Sequence, residues 1–347
     1  MVNKIFSFSL TKIFLVFLIG SVLVKTPLVE AASSERKRLP SPLLSPSQRK
    51  KRRISPLVVL PLLNRPSQVC FLPQSRIALS TKKGEILIYN MKKSFLEFKK
   101  KFSSFPIPTL SFYPENQELI FGDKGGVIKV LDLKRKIIVE TIYEPGRIIS
   151  KMKLSPDRSV LAVGDFSGKI TFYSTKNFRQ LTGITFFPSR RVTSLSFSKD
   201  DELLGITFRN RKVEILIIGS KRANSILLPS SATTSDWHKD DFFALGETNG
   251  RLSIYQRDDL LKVKNRSFFE WNHNDWVTSV KFFQDFLVTG CKDGKIRVFD
   301  FKNKRLITKL DIGYPILDIA IEDNKRLLGV ATPHKLFVYE IEKIISP

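Results

Sequence analysis

The residues of this chain best suited to acid–base or metal chemistry are few and scattered. The chain contains three histidines, His238, His273 and His334. No nucleophile elbow, His-Glu-x-x-His, Cys-x-x-Cys, phosphate-binding loop or Gly-x-Gly-x-x-Gly accompanies them. Asp236, Asp240 and Asp241 surround His238, and these are ligand types that could hold a metal ion if they converged. Whether they converge depends on the elements that carry them.

A repeat of about 42 residues defines those elements. A glycine followed by five residues rich in alternating apolar positions begins at residues 84, 126, 168, 250 and 294, and degenerate copies begin at Arg211 and His334. The successive intervals are 42, 42, 43, 39, 44 and 40 residues, which is the period of a four-stranded propeller blade. Seven copies predict an all-β, seven-bladed β-propeller.

The sixth copy shows how each blade is built. Residues 277–282 alternate, residues 286–291 form a second run, and Asp293-Gly294 supplies the tight turn to a third strand at 295–299 and a fourth at 305–310. By the same register, Asp236 and His238 follow one strand into its turn in the fifth copy, where successive side chains point to opposite faces. We therefore predict no metal site there, no cofactor and no enzymatic activity.

The repeats resemble the WD40 family. His273, Val277, Val280 and Phe282 are similar to its opening pattern, and Phe299-Asp300 and Leu131-Asp132 to its closing dipeptide, over a region of residues 57–347. The family's blades are stiffened by a hydrogen-bonded tetrad of His, Ser or Thr, Asp and Trp. The resemblance implies a remnant of it at His273, Thr289 and Asp293, with Phe299 in place of the Trp. We expect His273 to be structural and the other blades to be held by apolar packing alone.

Two ends of the repeat region complement each other. The last repeat lacks an outer strand, and the apolar run 57–63 just before the first repeat has the length to supply one. An outermost strand tolerates Pro61. We predict that this N-terminal strand closes the ring and removes an exposed sheet edge.

Residues 1–31 read as a signal peptide. Lys4 and Lys12 precede an uncharged apolar run at 13–24, and Val29-Glu30-Ala31 offers small residues for cleavage after Ala31. Uncleaved membrane anchoring, an organelle presequence and accidental apolarity remain alternatives. The expected location is a periplasm, a lumen or the cell surface.

Residues 32–56 form a second segment of distinct composition. It carries eight Lys or Arg against Glu35, interleaved with prolines and serines, so it is predicted to be a disordered basic arm. The arm suits contact with a polyanion or an anionic membrane surface. The run at 48–53 is also typical of a nuclear import signal or a nucleic-acid contact, which is the alternative to export.

Positive charge dominates the whole chain and favours an acidic partner. The formal net charge is +25, of which nine lie in residues 1–63 and sixteen in the propeller. Strong attraction to polyanions is expected, although Lys-rich codon usage without a cationic function is an alternative.

The arginines of the fourth copy give the sharpest binding hypothesis. Arg190 and Arg191 precede its first strand, and Arg209 and Arg211 replace the usual Asp-Gly turn. In a propeller these two loops share one face, so the four side chains should converge, where they suit carboxylate or phosphate. Separate solvated arginines are the alternative. The other residues expected on this face are Lys82, Lys83, Arg147, Lys292, Trp276 and Tyr314.

These observations predict a non-enzymatic scaffold that binds other proteins, acidic ones above all, through a basic propeller face outside the cytoplasm. The alternative is a nuclear or nucleolar scaffold in RNA processing or ribosome assembly, with nucleic acid as a further partner. A propeller enzyme would need polar residues along its innermost strands, which offer mostly Val, Leu, Ile, Ser, Thr and Phe. The sequence does not predict an oligomeric state.

Overall fold

The computed structural model describes residues 54–185, 190–220 and 222–345. They belong to one compact unit, residues 52–347. The predicted signal peptide and nearly all of the predicted basic arm, residues 32–53, lie outside the described residues, so both remain predictions.

The described residues form seven four-stranded antiparallel sheets, whose strands we call a to d from the inside outwards. The a strands are β2 (Pro66–Leu72), β6 (Thr109–Tyr113), β10 (Ile149–Leu154), β14 (Val192–Phe197), β18 (Ala232–Trp237), β22 (Val277–Phe283) and β26 (Asp318–Glu322). The b strands are β3 (Arg76–Thr81), β7 (Glu118–Gly122), β11 (Val160–Asp165), β15 (Leu203–Phe208), β19 (Phe242–Glu247), β23 (Phe286–Cys291) and β27 (Leu327–Ala331).

The c strands are β4 (Glu85–Asn90), β8 (Val127–Asp132), β12 (Lys169–Ser174), β16 (Lys212–Ile217), β20 (Arg251–Gln256), β24 (Lys295–Asp300) and β28 (Lys335–Glu340). The d strands are β5 (Phe95–Lys101), β9 (Ile137–Tyr143), β13 (Gln180–Thr185), β17 (Arg222–Leu227), β21 (Phe269–Asn272), β25 (Arg305–Asp311) and, for the seventh sheet, β1 (Val58–Pro61). Two short helices, α1 (Arg257–Leu261) and α2 (Ile341–Ile345), complete this part of the chain. None of its helices has both the length and the apolar character needed to cross a membrane.

The sheets are the blades of a propeller. Each a strand contacts the a strands of both neighbouring blades, and β26 contacts β2, so the ring is closed. A channel runs through the middle and is lined by all seven a strands. The predicted all-β, seven-bladed propeller is confirmed, and the strands of blade six fall within one residue of the predicted limits.

The core lies between the blades. The described buried apolar side chains fall into seven clusters, and each cluster fills the gap between two adjacent blades. Strands of type b are covered on both faces, as in β7, where all five residues are buried, whereas the d strand β9 is mostly exposed. Burial on both faces explains why the b strands are continuously apolar instead of alternating.

The ring is closed by the N-terminal strand, as predicted. β1 pairs antiparallel with β28 in the register Val58 to Val338. Leu60 is 1% exposed, and the Tyr89 hydroxyl donates to the Pro61 carbonyl at 3.1 Å. The seventh blade is therefore assembled from both ends of the propeller sequence, which leaves β28 with a partner on each side.

Side chains of one inner strand hold the backbone of the next. Backbone N–H groups donate to side-chain oxygens of the preceding blade at six positions: Leu110 to Gln68, Met152 to Thr109, Ser235 to Ser194, Val280 to Thr234, Phe282 to Asp236 and Val69 to Asp318. These bonds are 2.9 to 3.2 Å long. They satisfy backbone donors that face the channel and fix the register between blades.

Candidate partner-binding face

One face of the propeller carries the loops that enter the a strands together with the turns that join strands b and c. In blades one to six, the first residue of each turn donates its backbone N–H to the carbonyl of a loop residue in the same blade. The pairs are Lys82 with Arg65, Lys124 with Pro106, Phe166 with Ile148, Arg209 with Arg191, Thr248 with Ser231 and Lys292 with Trp276. We call this face the upper face. The opposite face, with the a-to-b and c-to-d turns, is the lower face.

The four arginines of blade four lie together on the upper face. The Arg209 backbone N–H donates to the Arg191 carbonyl at 3.0 Å, which joins the loop to the turn. Arg190, Arg209 and Arg211 are exposed, and Arg191 is half-buried. Arg211 has a φ of 71°, the left-handed conformation that a turn glycine adopts elsewhere in the repeat. Within the described residues, none of the four guanidinium groups forms an ion pair or a hydrogen bond to a side chain.

Arg191 extends this cluster towards its neighbours. Its guanidinium carbon lies 4.4 Å from the centroid of the Phe166 ring, and the Lys124 ammonium of blade two lies 5.4 Å from the same ring. The Arg191 Nε atom is buried without a hydrogen-bond partner among the described residues. Burial, followed by the charge of Arg209, lowers the pKa of Arg191. Cations therefore crowd together here, and none of them forms an ion pair with a carboxylate among the described residues.

The remaining predicted contact residues are placed on several blades. Lys82 and Lys83 are exposed on blade one, and burial followed by the charge of Arg65 lowers the pKa of Lys82. On blade six, the Lys292 ammonium lies 3.3 Å from the centroid of the Trp276 ring, which is 44% exposed. On blade seven, the Lys335 ammonium lies 5.3 Å from the half-buried Tyr314 ring. All of these residues share the upper face, but they surround blade four at a distance.

Arg147 is engaged inside blade three. Its guanidinium donates to Asp165 at 2.7 Å, to Glu144 at 2.6 Å and to the Thr171 hydroxyl at 2.7 Å. Its side chain is 10% exposed, and that of Asp165 is 1% exposed. The arginine joins the loop before strand a to the b-to-c turn and strand c, so it stiffens the blade and uses most of its donors there.

The tetrad remnant in blade six is only partly as expected. His273 is buried, with Nε2 at 2.9 Å from the Thr289 hydroxyl and Nδ1 at 3.1 Å from the Gly250 carbonyl. Asp293 pairs instead with Arg297 of strand c at 2.5 Å. Burial, with the charge of Arg297, lowers the pKa of His273 to about 4. A neutral, fully bonded imidazole holds the loop to strand b, which is a structural role.

The expectation that the other blades rely on apolar packing alone is wrong. Blade three uses the Arg147 network, and in blade five the buried carboxylate of Glu247 accepts from the Ser230 backbone N–H at 2.9 Å. In blade four, the Ser225 hydroxyl donates to the buried Glu214 at 2.6 Å. Different residues stiffen each of these blades, so the fixed residue types of the family's tetrad could not predict which side chains take part.

The acidic cluster at His238 has the composition of a metal site, but both ring nitrogens and one oxygen of each carboxylate are already hydrogen-bonded. His238, Asp240 and Asp285 come within 4.8 Å of one another. The His238 Nδ1 accepts the Asp240 backbone N–H at 3.0 Å, and Nε2 lies 2.6 Å from the Gln284 carbonyl. Lys302 bridges Asp240 and Asp285 at 2.7 and 2.8 Å. An ammonium thus occupies the position between the carboxylates that a cation would take.

The central channel is more polar than the sequence analysis expected. Lys151 and Lys153 of β10, Lys281 of β22, Asp236 of β18 and Asp318 of β26 all line it. The two lysines of β10 are two positions apart on an alternating strand, which placed them on one face from the sequence alone. The spacing of these two lysines was the sequence signal for a charged channel. It was overlooked because most residues of the a strands are apolar.

Seven four-stranded blades, a ring closed by an N-terminal strand and an upper face built from loops define a repeat propeller of the kind that binds partners on its surface. A family model, the WD domain G-beta repeat, matches residues 265–300. The methylosome protein WDR77 of Xenopus laevis is 21% identical over 231 residues, which cover 62% of this chain and 66% of that protein, just under two thirds of its length. The chain therefore carries a WD40 repeat within a seven-bladed β-propeller, an architecture that typically serves as a platform for protein partners.

Proposed function

We propose that this protein is a non-enzymatic scaffold that binds an acidic segment of a partner protein on the upper face of blade four. The observation that carries the proposal is the cluster of Arg190, Arg191, Arg209 and Arg211, which have no carboxylate partner among the described residues. Several arginines elsewhere on this propeller are paired: Arg147, Arg251, Arg257 and Arg297 each have a carboxylate within reach. Unpaired guanidinium groups are free to bind carboxylates, two hydrogen bonds at a time.

The charge around the cluster supports an extended partner. Lys124 shares the Phe166 ring with Arg191, and the charges of Arg65 and Lys124 both act on Lys82. Cations of blades one, two and four thus lie along one side of the upper face, and an acidic peptide of several residues could follow them. We propose Lys82, Lys83, Lys292, Trp276 and Tyr314 as outer contacts on the same face. Arg147 is left out because its donors are used within the blade.

A protein partner fits this face better than a single-stranded nucleic acid. Single strands bind by stacking their bases on open aromatic rings. The aromatic rings named for this face already have cations beside them: Lys292 at Trp276, Lys335 at Tyr314, and both Arg191 and Lys124 at Phe166. The similarity to a protein named for the methylosome also supports assembly with other proteins.

The test is charge reversal with a matched control. We would compare the wild-type protein with R190E/R209E/R211E, keeping Arg191 because it packs on Phe166, and measure binding of a fluorescent 20-residue polyglutamate peptide by anisotropy at 50 and 150 mM NaCl. Losing about 1 kcal/mol at each position predicts at least a hundredfold weaker binding at 50 mM NaCl. The control K92E/K93E/K134E reverses three exposed lysines of the c-to-d turns and should change the affinity less than threefold.

Equal losses in the two triple variants would refute a site on blade four, since only the total charge would then matter. Binding of a 20-nucleotide oligothymidylate at 150 mM NaCl without binding of the peptide would replace the acidic protein by nucleic acid. Thermal unfolding of both variants should stay within 2 °C of the wild type, because exposed and unpaired charges contribute little to stability.

We further propose that the protein is exported, on the strength of the apolar run 13–24, its flanking lysines and the cleavage site after Ala31. The basic run 48–53 supports the alternative, a nuclear or nucleolar scaffold. The intact mass and first residue of the protein from fractionated cells distinguish these proposals. A chain that begins at Ala32 outside the cytoplasm supports export, whereas a chain that begins at Met1 or Val2 in the nucleus refutes it, and the same chain in membranes indicates an anchor.

A further inference from the structure

The central channel contains two lysine side chains without an ion pair among the described residues. Lys151 and Lys153 both line the channel from β10, and neither ammonium group forms an ion pair or a hydrogen bond within this part of the chain. Lys281 enters from β22 and lies 3.8 Å from Asp236. Blades three and six are three positions apart in a ring of seven, so these lysines approach the channel from nearly opposite sides.

Four carboxylates line the channel, and two of them, Asp236 and Asp318, are used in its wall, while Glu322 and Asp323 lie at the end of β26. Asp236 accepts the Phe282 backbone N–H at 2.9 Å, and Asp318 accepts the Val69 N–H at 3.0 Å and the Ser279 hydroxyl at 3.1 Å. Both carboxylates thereby link neighbouring inner strands and are fixed against the wall. They cannot move to meet the lysines without breaking the contacts between blades.

The electrostatic consequence is visible on both lysines. The charge of Lys281, followed by burial, lowers the pKa of Lys153 to about 8. Burial lowers the pKa of Lys151; the charge of Asp318 opposes this shift, and the charges of Arg191 and Lys281 add to it. Ammonium groups that are crowded together and removed from bulk water favour an anion placed between them.

We infer that the channel binds a small phosphorylated molecule, with its phosphate groups on Lys151, Lys153 and Lys281. The channel has a cavity volume of about 510 Å³, within the range of sites for small organic ligands and larger than a bare phosphate requires. Serine and threonine side chains of the a strands, such as Ser111 and Thr278, line the rest of it and suit a hydroxyl-bearing body. This site is separate from the arginines of blade four and does not depend on the proposed scaffold function.

Calorimetric titration of the full chain tests the inference. The probes are fructose 1,6-bisphosphate and inorganic phosphate at 50 mM NaCl, and the variant is K151Q/K153Q. We expect one bound bisphosphate per chain and at least tenfold weaker binding by the variant. The control K92Q/K93Q removes two exposed lysines of the lower face and should change the affinity less than twofold. The blade-four variant R190E/R209E/R211E should also bind normally, which separates this site from the proposed acidic-partner site.

Three outcomes would overturn the inference: no saturable binding, equal losses in K151Q/K153Q and K92Q/K93Q, or loss of binding in the blade-four variant. Tighter binding of the bisphosphate supports a phosphorylated organic molecule, whereas tighter binding of inorganic phosphate keeps the channel site but replaces that molecule by a free oxyanion. Thermal unfolding guards against misfolding. Without ligand, K151Q/K153Q should melt no lower than the wild type because it removes crowded charges, and millimolar bisphosphate should raise the melting temperature of the wild type only. If the double variant does not fold, K153Q alone serves the same comparison.

Discussion

Arg147 should be among the most important single side chains for the stability of this propeller. It donates to Asp165, Glu144 and Thr171 from a position that is 10% exposed, and Asp165 is almost fully buried. Replacing Arg147 with Met keeps much of the side-chain length and removes every one of these bonds. The Asp165 Oδ2 atom would then lose the partner that the arginine provides, while Oδ1 keeps the donors of its own turn, Ser167 and Lys169.

The expected loss of stability follows from how the hydrogen bonds of Asp165 are divided between its two carboxylate oxygens. Breaking a buried ion pair costs about 3 to 5 kcal/mol when one charge is left alone. Because half of the Asp165 carboxylate remains hydrogen-bonded, we expect the lower end, about 3 kcal/mol. For a folded unit of this size, roughly 2 °C is lost per kcal/mol, so the melting temperature should fall by about 6 °C.

Chemical denaturation and calorimetry of R147M, D165N and the double variant provide the measurement. The double variant should be more stable than R147M, with a coupling of at least about 1.5 kcal/mol, because it removes the unpaired charge together with its partner. R158M is the matched control: Arg158 of the same blade pairs with Glu115 at 2.7 Å on the lower face, but the two side chains are 47% and 42% exposed. That exposed pair should contribute less than about 1 kcal/mol. If R147M and R158M destabilise the protein equally, the network in blade three is not the stiffening element described above.

Three further predictions concern other parts of the ring. The pKa of His273 is about 4 in the folded protein and about 6.5 in the unfolded chain. Because the unfolded chain binds the extra proton, the free energy of unfolding should fall by up to about 3 kcal/mol between pH 6.5 and 4. H273Q should reduce this dependence in a series of denaturation curves recorded against pH. L60A should cost about 2 to 4 kcal/mol and speed hydrogen exchange in β28, whereas L57A, at a residue 56% exposed, should cost less than about 0.5 kcal/mol. G84A should lower the melting temperature of the protein far more than G313A. Both glycines have φ near 78°, but a Cβ on Gly84 would lie 2.1 Å from a backbone oxygen, whereas one on Gly313 would touch nothing within 4 Å. Equal melting temperatures of the two variants would contradict this reasoning.

The sequence predicted the architecture well because the architecture is carried by local signals that repeat. The glycine positions, the alternation of the strands and the Asp293-Gly294 turn each specify a hairpin, and seven hairpin pairs at one period specify a ring. Ring closure was also predictable, because an apolar strand at 57–63 and an incomplete last blade require each other. The meeting of the blade-four loop and turn followed from the same geometry, since both lie on one face.

The polar contacts inside the blades were less predictable. Arg147 was expected on the upper face because its loop lies there, but a long side chain can turn back to a carboxylate in its own blade. Blade three has the aspartate of the family's pattern, Asp165, but not its histidine. That combination was the sequence signal that a different side chain would pair with the aspartate. Asp293 was expected beside His273 and pairs with Arg297 instead, since an arginine on strand c offers two donors where the neutral imidazole offers one. The partner of a buried carboxylate depends on which of several nearby donors forms the better hydrogen bonds to it, and the spacing of residues in the sequence does not determine this.

The pairing of β1 with β28 has a consequence for biosynthesis. Val58 and Val338 are 280 positions apart in the chain. At about 5 to 20 residues per second, the ribosome needs on the order of 14 to 56 seconds to make the stretch between them. During that interval the apolar strand that will complete the ring has no partner, while the intervening blades emerge one by one. The nascent chain is therefore most prone to aggregation before its last hairpin emerges, because until then the apolar strand β1 stays unpaired beside an incomplete ring.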